Sequence, residues 1–264
     1  MKKLVVIATL ILFSSCGGGG GGGGGSGSSA SVPAVPNAAT GGIWQGRDPF
    51  SGADILGLVA EDGRSQFVVF DALPFTQYWG TLAPSGNTLT ASTFQAADEF
   101  TYYGSATLTG TINARQSMTV TVAFTPAAGC APAVCGSSRT GTGTFTFNTL
   151  YNRGGALSRV IGNWQDVATG QIYNINSSGV VFNQSAVTGC VINGQVSTIN
   201  TTYNAYAVNF TYSSCRSPYA IWNGTQASGL VTVDDTVTPN RIYLGAQYRS
   251  GGVTYATYGE AVKR

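Results

Sequence analysis

Histidine is absent from all 264 residues. That absence removes His-based acid–base chemistry, the Ser-His-Asp triad, His-ligated zinc and axial haem ligation. Charge is scarce as well, with Asp, Glu, Lys and Arg making up 9% of the chain and lysine confined to Lys2, Lys3 and Lys263. No basic stripe can replace counterions along a phosphate backbone, which argues against nucleic acid, and no polybasic patch can hold an anionic membrane. Long apolar runs are missing too. The longest, Leu4–Phe13, is broken by Thr9 and is too short to cross a core of roughly 30 Å at about 1.5 Å per residue. After it, no stretch carries the apolar stripe of an amphipathic helix. Present in abundance are Gly (37 residues) and Tyr (13), with Thr, Ser and Asn. This balance suits an exported β-protein of short strands and tight turns.

Lys2-Lys3, the apolar run and Ser14-Ser15-Cys16 make a charged segment, a short hydrophobic segment and small residues before a cysteine. The arrangement resembles the lipobox of bacterial lipoproteins, with Phe13 where that motif prefers Leu. The resemblance implies that residues 1–15 are a signal peptide and that Cys16 is diacylated at the mature N-terminus. Once Lys2 and Lys3 are removed, the basic side chains equal the 11 acidic ones. In Gram-negative cells, Gly17 rather than Asp after the cysteine implies release from the inner membrane. The expected location is the bacterial outer membrane, lipid-anchored in its periplasmic or surface leaflet. Residues 16–39 then form a tether, because Gly17–Gly25 and the Ser- and Pro-rich stretch after it have nothing to bury. A flexible linker of about 25 residues reaches roughly 25–30 Å.

From residue 40 the chain repeats itself. Gly42-Ile43-Trp44-Gln45 returns as Gly162-Asn163-Trp164-Gln165, and Ser51-Gly52 before Ile55 as Thr169-Gly170 before Ile172. Asp62-Gly63 before Phe67 matches Ser178-Gly179 before Val180, and the segment around Gly110 matches loosely that around Gly229. Two domains are expected, 40–152 and 156–264, each large enough for its own core. Within each, apolar residues alternate, as in Met118, Val120, Val122 and Phe124, or Tyr206, Val208, Phe210 and Tyr212. A period of two means strands with one buried face. About eight strands per copy with short turns predict an all-β protein of two tandem antiparallel up-and-down barrels, closed so that no edge is left. A two-sheet sandwich is the alternative.

The Gly-x-Trp at the head of each copy resembles the first strand of lipocalin- and avidin-like barrels. The resemblance implies that Trp44 and Trp164 plug the closed ends and that Gly42 and Gly162 allow close packing beside them; it also implies a late-strand arginine. Arg139 and Arg249 are the candidates. The ligands of those families do not transfer with the fold.

Cys130, Cys135, Cys190 and Cys215 are an even set in an exported chain, which favours disulfides over metal. Three pairings are possible. Keeping each bond within one copy favours Cys130–Cys135 and Cys190–Cys215, the second bracing a hairpin that turns near Thr198–Tyr203. A four-cysteine zinc site lacks the paired short spacings it needs. The acidic pairs Glu61-Asp62, Asp98-Glu99 and Asp234-Asp235 read as solvated turn residues rather than catalytic carboxylates or a calcium loop. No Gly-x-Ser-x-Gly elbow occurs. No catalytic residue, metal ligand or cofactor is therefore expected. Tyr78, Trp79, Tyr102, Tyr103, Tyr219 and Trp222 are candidate binding aromatics, since rings near loops bring large area with few rotors. Packing over barrel mouths is the plainer reading of the same residues. The expected function is a non-enzymatic binding or structural role, held to the membrane by lipid, toward a protein, a glycan or a small apolar ligand. An inhibitor of an envelope-acting enzyme, such as a lysozyme or a protease, probing with the Cys130–Cys135 loop, is the alternative.

Overall fold

A computed structural model describes residues 40–70 and 76–264; Cys16 and the tether lie outside them. Alternating sequence becomes antiparallel strand throughout. The first sheet runs through β1 (Gly42–Arg47), β2 (Asp54–Val59), β3 (Arg64–Phe70), β4 (Thr76–Thr81), a two-residue β5 (Pro84–Ser85), β6 (Thr88–Ala97), β7 (Tyr102–Asn113), β8 (Ser117–Pro126) and β9 (Arg139–Asn148). Consecutive strands pair, β4 pairs β6, and β1 pairs β9, so eight strands close and β5 is a stub on β6. The second sheet, β10 (Gly162–Asp166), β11 (Ile172–Ile175), β12 (Val180–Gln184), β13 (Val191–Thr198), β14 (Tyr206–Ser213), β15 (Gln226–Asp234), β16 (Arg241–Ser250) and β17 (Val253–Lys263), closes through β10 and β17. The protein is all-β, with two eight-stranded antiparallel barrels that fit a lipocalin-like repeat.

The two barrels share one frame. Both Trp44 and Trp164 are buried, and each indole N–H donates to the carbonyl four residues earlier, Thr40 at 2.9 Å and Val160 at 2.6 Å. A Cβ on Gly42 would lie 2.7 Å from Trp44 Nε1, so the residue beside the ring is held to glycine. Neither candidate late-strand arginine lies over these rings. Phe147 packs edge-on against Trp44, and Lys263, at the same register position in barrel two, lies over Trp164. Arg139 instead covers Phe50 and Phe124, and Arg249 donates to Gly252 O. Strand register also corrects one sequence match. Ala106 pairs Phe124 as Ala227 pairs Tyr248, which sets Gly110 against Val231 rather than Gly229.

Each barrel has its own core, and a third cluster of Ile43, Leu58, Ala60, Tyr151, Ala205 and Leu230 joins them. The 3₁₀ turns Thr149–Arg153 and Leu157–Arg159 connect the two. Tyr151 stacks on Tyr203 at 5.1 Å, and Asn204 Nδ2 donates to Leu150 O and Val233 O. Arg153 and Arg159 both reach Asp235 at 2.9 Å. Burial opposes ionisation of Asp235, yet these two guanidiniums hold its carboxyl below the ordinary range.

Cys130 is bonded to Cys135 across a single helical turn, α1 (Pro132–Cys135), and Cys190 to Cys215 just beyond the Val191–Ser213 pair of the β13–β14 hairpin. Replacing Cys190 and Cys215 together by Ser should cost about 3.5 kcal/mol, against about 2 kcal/mol for the Cys130–Cys135 pair, because the longer loop restricts the unfolded chain more. Trp44→Phe and Trp164→Phe should each cost roughly 1–3 kcal/mol through lost packing and an unpaired carbonyl. Urea unfolding checks all four; equal losses from the two disulfides would contradict the first expectation.

Candidate functional site

The two barrels differ in what fills them. In barrel one, Phe67, Phe94 and Phe145 meet edge to face across the axis, with ring centroids 5.6–6.1 Å apart. The Phe67 ring fits because Gly57 faces it: a Cβ there would sit 2.3 Å from Phe67 Cε1. The space left is ≈ 30 Å³. Shared register and matching turns place Asn183, Phe210 and Ala261 at the same three positions of barrel two, and Tyr173 at that of Gly57. Two of three phenyl rings are thereby lost. A cavity of ≈ 120 Å³ remains, bounded by Trp164 at the closed end, by Ile175, Val208, Val231 and Ile242 along the walls, and by Asp166, Tyr173 and Tyr212 toward the open end.

The open end of barrel two gathers residues from distant parts of the chain. The Cys190–Cys215 bond holds two of its loops together. Tyr212 packs on Trp222, which also contacts Tyr219, and Tyr248 stacks on Tyr255. Barrel one contributes the turn between β6 and β7. Asp98 accepts from the Phe100 and Thr101 amides at 2.6 Å and from the Tyr103 hydroxyl, which shapes the turn and presents Glu99. The Glu99 carbonyl accepts from Tyr248 Oη at 2.6 Å, and its carboxylate from Thr257 Oγ1 at 3.3 Å. Asp98 O receives the Ala256 amide at 3.0 Å.

This mouth is electronegative. Burial pushes the Glu99 carboxyl above its ordinary range, against the Thr257 hydrogen bond and with help from the charges of Asp98 and Asp166. Burial, then Asp166 and Glu99, raises the Tyr173 phenol to about 12. Tyr212 and Tyr248 move the same way, burial first and with Glu99 contributing.

The expectation of solvated acidic turns is corrected here. Asp98 is 1% exposed and Glu61 6%, Glu61 accepting from Tyr151 Oη at 2.9 Å. Of the candidate aromatics, Trp79 lies in β4, buried against Ala97 and Ala256, with Tyr102 packed on that cluster. Tyr102 also hydrogen-bonds Gln95. Tyr78 and Tyr103 pack on the core of barrel one. Tyr219 and Trp222 alone stand at the rim of the hollow barrel, on the 3₁₀ turn Tyr219–Trp222. Sequence reasoning missed Tyr173, Tyr212, Asn183 and Ala261; the signal for Tyr173, Asn183 and Ala261 was the substitution of the glycine and phenylalanines of copy one, and Tyr212 stands where copy one has Ala96. Among the described residues, no three His, Cys, Asp or Glu side chains converge as a metal site would require. No protein-family model and no curated protein sequence matches the chain.

A raised carboxyl pKa favours the folded state most at low pH, and that contribution is lost as pH rises through the folded value. Glu99→Gln does not titrate and keeps an acceptor for Thr257. Its melting temperature relative to wild type should therefore rise between pH 4 and pH 7.5. A difference that is flat or falls with pH in paired thermal melts would contradict the burial of Glu99 as an ionisable group.

Proposed function

We propose that this chain is a non-enzymatic, lipid-anchored protein of the bacterial outer envelope whose second barrel binds a small apolar molecule. The observation that carries the binding reading is the ≈ 120 Å³ space in barrel two beside the filled interior of barrel one. Two barrels with the same closure, one packed and one hollow, point to space kept for an occupant, because an unfilled core costs stability. An apolar cavity of about 150 Å³ stays dry and takes benzene. This one suits a ring or short branched chain of similar size.

The absence of histidine supports a non-catalytic role, as does the pairing of the carboxylates away from the mouth with arginine. Asp54 pairs Arg47, Asp62 pairs Arg64, Asp235 pairs two arginines and Glu260 pairs Arg241. The anchor rests on Lys2-Lys3, the apolar run and Cys16.

Ala261→Phe restores the ring that Phe145 supplies in barrel one and tests the reading. Apolar ligands of benzene size should bind the wild-type chain with millimolar or better affinity and lose at least about tenfold in the variant, while the melting temperature holds or rises. Unchanged binding in the filled variant would overturn the assignment of the site. Cys16→Ala should abolish incorporation of labelled palmitate and release the protein from membranes; equal labelling of both forms would sink the anchor.

A further inference from the structure

The mouths of the two barrels differ in one charge. In barrel one, Asp48 and Arg139 border the same mouth cavity of ≈ 190 Å³, and the Arg139 guanidinium lies 4.6 Å from the Phe50 ring centroid and 5.5 Å from that of Phe124. A cation therefore sits over two rings, whose quadrupoles favour it, while Asp48 Oδ1 is buried with no hydrogen-bond partner among the described residues. In barrel two Asp166 faces inward like Asp48, and each acid caps its turn alike, Asp48 through Ser51 and Asp166 through Thr169. The Phe124–Arg139 pair of β8 and β9 becomes Tyr248–Tyr255 of β16 and β17, and Phe50, two residues after Asp48, becomes Ala168. The second mouth thus keeps the carboxylate and the rings and lacks the guanidinium. Glu99 adds a second acid. The arginines at this rim, Arg216 on a loop and Arg249 in β16, are exposed, and Arg249 donates to Gly252 O.

Among the described residues, barrel two keeps a buried acceptor without a donor, Asn183 Oδ1, as barrel one does at Asp48 Oδ1. Asp166 Oδ1 receives the Thr169 amide at 2.6 Å and the Thr169 hydroxyl at 2.7 Å, while Oδ2 points to the Gly259 side of the cavity wall, 3.9 Å from where a Cβ on Gly259 would lie. Asn183 is 3% exposed and follows Val181 on the inward row of β12. Its Nδ2 donates to Ile172 O at 2.8 Å, and its Oδ1 is buried with no hydrogen-bond partner among the described residues.

We infer that barrel two takes a protonated amine on a compact apolar body, with the ammonium against Asp166 under Glu99 and the apolar part in the cavity; this rests on the binding reading above. The ligand's ammonium takes the place among the mouth's rings that the Arg139 guanidinium holds in barrel one. A bare metal ion would need a shell of six or more oxygens, which two carboxylates do not supply. An anion meets two like charges, and a neutral hydrocarbon offers Asp166 Oδ2 no donor.

Calorimetric titration of the full chain with three probes of one size tests this: benzylammonium, its neutral isostere ethylbenzene, and benzoate. Benzylammonium should bind at least about tenfold tighter than ethylbenzene, as expected for a charge-assisted hydrogen bond out of water. Benzoate should show no binding. Asp166→Asn keeps the Oδ1 acceptor of the turn and removes the charge. It should bring benzylammonium to within about twofold of ethylbenzene and leave ethylbenzene unchanged, which reports an intact cavity. Glu99→Gln should reduce the preference by a smaller factor. Equal binding of benzylammonium and ethylbenzene, a preference for benzoate, or a preference that survives in Asp166→Asn would overturn the amine inference while leaving the cavity reading in place. Failure of all three probes would overturn both.

Discussion

Each barrel depends on one short ladder joining its first strand to its last. In barrel one it runs from Ile43–Asn148 to Gly46–Phe145, and in barrel two from Trp164–Lys263 to Asp166–Ala261. Without it the sheet would have two open edges, each a row of unpaired backbone groups. The tryptophan is the large apolar inward residue of that ladder in both copies. Its ring fills the end of the barrel where the first turn of chain crosses, and its N–H satisfies the carbonyl four residues back. The large apolar area and the single donor act together: the ring stabilises closure by burial, and the hydrogen bond fixes where the chain enters.

On that common frame the interiors have diverged. Phe67 and Phe145 make barrel one a packed body, and their replacement by Asn183 and Ala261 opens barrel two. The packed barrel also shapes its neighbour. Its Asp98 turn sets Glu99 at the other mouth, its Trp79 wedges against Ala256, and its Gln66 Nε2 donates to Gln247 Oε1 at 2.7 Å. A filled core is the more rigid support, since close-packed interiors transmit displacement instead of absorbing it. The hollow barrel is thus held at its rim by the solid one.

Much of this frame was legible in the residues. Alternation in segments such as Met118–Phe124 gave strands, the repeated Gly-x-Trp located the start of each barrel, and the cysteine spacing within each copy pointed to the bonds that form. What was hidden depended on register. That Phe145 and Ala261 occupy one position follows only after both strands are counted from the tryptophan ladder, because the turn acid stands four residues after the tryptophan in copy one (Asp48) and two in copy two (Asp166). The acids were hidden for a different reason. Asp98-Glu99 has the local look of a wet turn, and nothing nearby in sequence reveals that Tyr248 and Thr257 will cover it. The late-strand arginine drew attention to a residue type, whereas the ring is covered by whichever side chain the ladder sets opposite it: Phe147 in one copy, Lys263 in the other.

The turn that reaches across between the barrels also leaves a mark on a single amide. Ala256 pairs Gln247 within its own barrel, but its N–H is given to Asp98 O of the other, and the residue is wholly buried. Fraying of β17 alone would not free that proton; the barrels must part. Exchange of the Ala256 amide with deuterated solvent therefore measures the free energy of separating the two barrels, apart from that of unfolding either one.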